Sequence, residues 1–430
     1  MTDCNQQQLL FPRCKGRVVE ARFAGGDMTS NGGVLLLRQA DRALGLTERA
    51  AEALADPRRR ASCAHDALSI VRQRVYGLAL GYEDLNDHGE LRRDLALQTA
   101  VGKDRVLASA STVCRFERRA GREEAVRLHE VLAERFIASC KRPPRRLVLD
   151  FDATDDRVHG RQAGRFHHGY YDHYCFLPLY VFCGDQLLVS YLRPGKIDAA
   201  RHAWAVLALL VKRLRKVWPK AGITFRGGSG FCRWRMLSWC ERHGVDCIVG
   251  IARDQRLNAL ATPLLIQAKE AFEHSGDKQR LFDQFFYAAG TWDKRRRVLV
   301  KAEHAARGSN PRYVVTNLAG APQRLYDAVY CARGDMENRI KEQQLDLHAD
   351  RTSCHDWWPN QYRVLLSALA CVLLNTIRRI GLKGTELARA YVGTLRLKAP
   401  AATDLAPPQL RSAPKPRFPQ SVSALVQHPG

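Results

Sequence analysis

Leu147-Val148-Leu149-Asp150-Phe151-Asp152-Ala153 follows the pair Pro143-Pro144 and runs into the polar Thr154-Asp155-Asp156. A short apolar run between prolines and polar residues has the length and make-up of a buried β-strand. Side chains alternate along a strand, so Asp150 and Asp152 project from the same face. Two carboxylates at the end of a buried strand are costly unless solvated, paired or bound to a cation. Asp155 and Asp156 follow at once and deepen the negative patch. A hard-metal site accounts for this cluster; a solvated strand end with one N-capping aspartate would read the same way.

Downstream of this strand the pattern alternates. Residues 176–183 and 186–192 read as two more strands, and Gly184-Asp185 between them signals a tight hairpin. Residues 199–217 carry Ala203, Val206, Leu207, Leu210, Val211 and Leu214 on one helical face. Ile223-Thr224-Phe225 is a short strand, 233–243 a helix and 247–251 another apolar strand. Strands followed by alternating helices and strands predict an α/β core. From 255 to 325 the rhythm breaks. There, 296–301 and 312–316 are β-like around the polar turn 307–311, which predicts a β-rich insertion. Helices return at 334–347 and 361–380, and beyond Lys398 the repeated prolines predict a disordered tail. Upstream, residues 1–146 read as mainly helical. A helix-turn-helix is compatible with residues 87–118, as is any plain helical bundle.

Charge narrows the partners. The chain has 430 residues, 68 Lys+Arg and 44 Asp+Glu, a net charge of +24. Such an excess favours a polyanion, because each neutralised phosphate releases condensed counterions. The 46% hydrophobic content is enough for a sizeable core and argues against global disorder. The 13 cysteines are odd in number and contain no CxxC pair, so neither a disulfide framework nor a zinc ribbon is supported. Residues 1–13 lack the apolar core of a signal peptide. The apolar stretch 364–374 contains Ser367 and is too short to span a bilayer. A soluble cytoplasmic protein without a membrane partner is expected.

A second acid stands in Tyr330-Cys-Ala-Arg333-Gly-Asp-Met-Glu337-Asn-Arg-Ile-Lys341. On a helix Arg333, Glu337 and Lys341 lie four apart and share a face. Such a carboxylate could ligate a metal while its cationic neighbours grip phosphates. It could equally belong to a surface ladder of ion pairs.

Several segments together carry a resemblance. Leu149-Asp-Phe-Asp-Ala-Thr-Asp155, Gly169-Tyr-Tyr-Asp-His-Tyr174, Leu179-Tyr-Val-Phe-Cys-Gly-Asp185, Arg226-Gly-Gly-Ser-Gly-Phe231 and Arg333-Gly-Asp-Met-Glu-Asn-Arg-Ile-Lys-Glu342 resemble bacterial insertion-sequence transposases of the DDE group. The likeness runs from about Phe23 to Lys383. It implies a ribonuclease-H-like core with a β-domain inserted before the last acid, and three acids coordinating two Mg2+ ions, with Mn2+ as a substitute. On that reading, 1–146 is a helical DNA-binding domain, 147–254 and 326–384 are the two parts of the catalytic core, 255–325 is the insertion and 385–430 the tail. The first acid of the family pattern falls on Asp152, with Asp150 in reserve as a metal ligand, and the last falls on Glu337. Tyr330, Arg333 and Lys341 would contact DNA. The lysine usual seven residues beyond the glutamate is Gln344 here.

One position departs. Relatives read Arg-Gly-Asp-Ser-Gly-Phe, whereas this chain has Gly228 where the second catalytic aspartate is expected. Two close cations need bridging carboxylates to offset their repulsion, and glycine supplies none. Asp246 and Asp254 lie near the next strand but would have to approach differently. The resemblance therefore implies a DNA-cleaving and strand-transferring enzyme with impaired activity; the alternative is a catalytically inactive, transposase-derived DNA-binding protein. Partners implied are DNA with terminal inverted repeats and a second copy of the chain on that DNA. In the insertion, Trp292 beside Lys294-Arg295-Arg296-Arg297 could stack an unpaired base while Arg295 and Arg297 track the backbone, or pack the edge of the β-domain. Trp357-Trp358-Pro359 reads as packing, and His167, His168 and His173 as DNA-facing or structural rather than zinc ligands. An RNA-binding module is the weakest class, since no aromatic RNP-like strand occurs.

Overall fold

The computed structural model describes residues 8–14, 17–22, 29–59 and 63–401; for 8–14, 17–22 and 399–401 only the backbone path is described. Strands β1 (Gln8–Cys14) and β2 (Arg17–Arg22) form a two-stranded antiparallel ribbon ahead of the helices, an element absent from the helical reading of this region. Seven helices follow: α1 (Val34–Leu44), α2 (Leu46–Glu52), α3 (Ala67–Leu80), α4 (His88–Leu91), α5 (Leu95–Val101), α6 (Ala110–Glu117) and α7 (Arg122–Ser139). Their ends follow local chemistry. Asp66 caps α3 by accepting from the Ser69 N–H at 2.7 Å, and Asp94 caps α5 through the Leu97 N–H at 2.7 Å.

The α/β core begins at β3 (Arg146–Ala153), followed by a small sheet of β4 (Asp156–Arg157), β5 (Phe166–His168) and β6 (His173–Phe176). Strands β7 (Leu179–Cys183) and β8 (Gln186–Tyr191), helix α8 (Ala203–Val217), β9 (Gly222–Gly227), α9 (Trp234–Arg242) and β10 (Asp246–Ile251) complete it. The strand order is β8-β7-β3-β9-β10, with β3, β9 and β10 parallel and β7 and β8 antiparallel. This is the ribonuclease-H-like arrangement.

Alternation along the strands explains why the sheet is covered on both sides. Leu149, Phe151, Leu179 and Val181 pack against Leu207, Leu210, Val211 and Leu214 of α8 and Leu237 of α9. Tyr180 and Phe182, one residue out of step, face the opposite layer with α3, α7 and α13 (Trp357–Thr376). That last helix is apolar all round, which a helix can be only when surrounded. Seventeen of its 20 residues are buried, and each fully buried leucine contributes about 1.5–3 kcal/mol. With its following turn it spans 25 residues, long and apolar enough to cross a membrane, where the sequence had suggested too short a run. In this fold it is a core helix, with 89% of its apolar window buried inside the protein.

The insertion begins with a 21-residue helix, α10 (Gln255–Ser275), so it is not purely β. Its strands β11 (Gln279–Tyr287), β12 (Arg296–Ala305), β13 (Gly308–Ser309) and β14 (Arg312–Thr316) extend the core sheet beyond β10 instead of standing apart. The order there is β10-β14-β12-β11, all antiparallel. From α11 (Pro322–Arg324) the chain continues through π and 3-10 turns into α12 (Gly334–Lys341) and a further π turn to Asp346. Helix α14 (Val392–Ala401) corrects the expected start of the tail at 385. Val392 and Leu395 are buried, and Arg396 donates to the carbonyls of Leu78, Ala79 and Asp346. The proline-rich stretch from 402 lies outside the described residues.

Candidate active site

The parallel register of β3 and β9 sets the site. Asp150 pairs with Arg226 and Phe151 with Gly227, so the next residues on each strand are Asp152 and Gly228. Both stand at the carboxyl ends of their parallel strands, a usual place for a site in an α/β sheet. Leu149 and Phe151 hold the strand down from the opposite face, Phe151 lying edge-on to Phe225 at 5.0 Å.

The two aspartates of β3 share a face, as their spacing requires, yet have different fates. Asp150 is 2% exposed, and both its oxygens are taken by Arg226, whose Nη2 donates to Oδ2 at 2.6 Å and whose Nε donates to Oδ1. Arg226 also donates to the Val329 carbonyl. Asp150, the reserve metal ligand, is thus held by Arg226 in a buried bidentate pair, and any ion there would have to share its oxygens with that guanidinium. Arg226 was quoted in the sequence motif without this role; only the strand register could have revealed it.

Asp152 accepts from Arg333 Nη1 at 3.1 Å through Oδ2, while its Oδ1 accepts from the Ala153 N–H at 3.0 Å. The same guanidinium donates through Nη2 to Glu337 Oε1 at 2.5 Å, one helical turn on. Arg333 is thus the bridge between an acid on β3 and an acid on α12. Burial pushes the Asp152 carboxyl above its usual range against the pull of Arg333, and the neighbouring Glu337 charge adds to the rise. A Cβ built on Gly228 would lie 3.3 Å from Arg333 Nη1 and 3.6 Å from its Cζ. Asp152, Gly228 and Glu337, distant in sequence, therefore surround one guanidinium.

Tyr330 stands beside them. Its hydroxyl sits where a side chain on Gly250 would be, 2.5 Å from the ideal Cβ position, so β10 needs glycine there. Burial raises the Tyr330 phenol, whose ring lies tilted against Tyr326 at 5.6 Å. Gln344 donates to the Asp155 carbonyl at 2.9 Å, and Asp155 Oδ2 lies 2.8 Å from His173 Nε2. Lys341 is exposed and makes no ion pair among the described residues, so it does not extend the Arg333–Glu337 pair into a ladder.

Other expected DNA contacts lie elsewhere. Arg297 is on β12, four strands from β3, roughly 19 Å away at about 4.8 Å per strand. Its Nε, Nη1 and Nη2 donate to Gln284 Oε1, the Leu318 carbonyl and the Gly320 carbonyl at 2.6, 2.5 and 2.6 Å. A guanidinium so engaged would have to exchange these bonds to take a phosphate. Trp292 packs edge-on to Tyr287 at 5.7 Å with Arg296 over its ring at 5.5 Å, a packing contact at the edge of the inserted strands. Arg295 is exposed and gives one bond, to the Phe286 carbonyl at 2.9 Å. Asp254 caps α10 and accepts from the Tyr287 hydroxyl at 2.6 Å, and Asp246 opens β10 at the end of the sheet opposite the acids. Neither replaces a carboxylate at 228.

The pair of Mg2+ ions implied by the resemblance does not fit these residues. Two carboxylates converge, both held by the single guanidinium of Arg333, and among the described residues no group of three or more His, Cys, Asp or Glu is placed to hold a metal.

Comparison with known proteins bears on the frame. No curated protein matches the chain. A solved structure described as a piggyBac transposase synaptic complex with hairpin DNA is similar at a TM-score of 0.41 and 11% identity, covering 93% of this chain and 86% of that one. The family model described as "Transposase DDE domain group 1" matches residues 11–399. The chain therefore belongs to the DDE transposases of that group.

Proposed function

We propose that this protein is an insertion-sequence transposase that binds the terminal inverted repeats of its element but cleaves and transfers DNA poorly, because Gly228 leaves its acidic site one carboxylate short. Family membership supports the transposition class, and DDE transposases generally work with a divalent metal. The observation that carries the impaired reading is the convergence of Asp152 and Glu337 on Arg333 with a bare glycine facing the same guanidinium. The net charge of +24 supports a nucleic-acid partner. Exposed Lys341, one turn beyond Glu337, and exposed Arg295 remain available to phosphates. A second copy on the DNA would let two element ends be held together.

The test uses purified full-length protein and duplexes ending in the element's inverted repeats. The wild type is expected to bind them in preference to scrambled duplexes and to cut them slowly with Mg2+. Gly228→Asp is expected to raise cleavage at least a hundredfold, the order of loss when a charge-stabilising group is removed from an active site. Equal, robust cutting by both proteins would sink the assignment of position 228.

A further inference from the structure

We propose that the turn between β5 and β6, carrying Tyr170 and Tyr171, is a stacking platform for unpaired bases of a DNA strand lying beside Asp152. This rests on the DNA-binding reading above and adds to it a surface that the acidic site does not include.

The backbone of the turn is pinned. The N–H groups of Tyr171 and Asp172 both donate to the His168 carbonyl, at 3.1 and 2.8 Å, and Asp172 adopts a left-handed φ of 55°. The Tyr170 N–H donates to His168 Nδ1 at 3.3 Å. On this pinned backbone the Tyr170 side chain is 85% exposed, the most exposed large aromatic residue among those described. Rings continue inward from it. Tyr170 lies edge-on to Tyr171 at 5.0 Å, Tyr171 lies 4.9 Å from His168 and 6.0 Å from His173, and His173 meets Asp155. Through His173 the series reaches Asp155, three residues beyond Asp152 on the chain; burial and then the charges of Asp155 and Asp152 raise the Tyr171 phenol to about 12. A series of aromatic faces and edges thus leads from solvent to the candidate active site.

Cations flank the series. Arg165 lies over Tyr174 at 4.4 Å, and Lys196 over Phe166 at 4.4 Å. Neither pairs with a carboxylate among the described residues, while the acid of the turn, Asp172, faces His167 at 3.5 Å. Exposed rings with unpaired cations beside them match a strand whose bases offer π-faces and whose phosphates need neutralising. A duplex keeps its base faces stacked on one another, so the surface suits an unpaired strand.

The test compares a blunt duplex with the same duplex bearing a single-stranded overhang that contains 2-aminopurine. Wild type is expected to bind the overhang form more tightly and to quench its fluorescence. Tyr170→Ala should lose about tenfold in overhang affinity, within the range for one stacked base, and lose the quench, with blunt-duplex affinity unchanged. Tyr170→Phe keeps the ring and should keep both properties. Overhang binding and quench unaffected in Tyr170→Ala, an equal loss on both DNAs, or no overhang preference in the wild type would overturn the platform while leaving DNA binding intact. Wild type that binds neither DNA would overturn the DNA-binding reading itself, and equal preference for an RNA overhang would overturn the choice of DNA.

Discussion

Asp150, Asp152 and Asp156 lie within seven residues and show how little residue type alone decides. Asp150 is neutralised by Arg226 and Asp152 shares Arg333, whereas Asp156 is buried with no cation. Its Oδ2 accepts from Thr352 Oγ1 at 2.9 Å and its Oδ1 has no partner. Burial pushes its pKa well above 3.8. Below 3.8 the carboxyl is protonated in folded and unfolded chains alike, and the penalty is absent. As pH rises past that value the unfolded chain ionises while the folded one keeps its proton, so stability falls until the folded pKa is passed. Asp156→Asn, which mimics the protonated form, should therefore be more stable than wild type at pH 7 by roughly 1–3 kcal/mol. The gain should shrink as pH approaches 3.8. Urea midpoints across that range decide it, and a variant less stable at pH 7 than at low pH, relative to wild type, would count against it. Gly228 differs again. Its φ of −73° and ψ of 179° are extended backbone that any residue adopts, so the fold does not demand glycine there.

At the scale of elements, the strand 147–153 was legible because proline, apolar alternation and turn residues all point the same way. Which of its two acids stays free was not. That depends on the parallel pairing of Asp150 with Arg226, a contact 76 residues apart in sequence. The i, i+4 spacing correctly paired Arg333 with Glu337 but could not show that the guanidinium also reaches back to β3. In the insertion, local pattern found β12 and β14 yet missed that they join the core sheet, since strand partners leave no local mark. The start of the tail was set too early because isolated apolar residues such as Val392 and Leu395 are informative only with their packing partners known. Elements can also be tied by one residue. Glu117 of α6 accepts from Arg74 of α3 and Arg363 of α13, both at 2.8 Å, and is itself 1% exposed. Glu117→Gln leaves two arginines facing a neutral group and should cost about 3–5 kcal/mol in chemical denaturation. A loss below about 1 kcal/mol would show that water or other groups replace the carboxylate.

Across the whole molecule, one sheet runs from β8 to β11 and one apolar layer joins the amino-terminal helices to α13. The sequence boundary near 146 therefore separates patterns of secondary structure and not cores. This continuity fixes β3, β9 and α12 against one another and so brings Asp152, Gly228 and Glu337 around Arg333. The central claim is that Arg333 stands as the resident cation of a site lacking its third acid. Mn2+ titration followed by electron paramagnetic resonance tests it directly, with no catalysis required. Wild type is expected to leave the ion free at concentrations where Gly228→Asp binds it stoichiometrically, and Gly228→Asp with Glu337→Gln should lose it again. Wild type binding Mn2+ as tightly as Gly228→Asp would contradict the account.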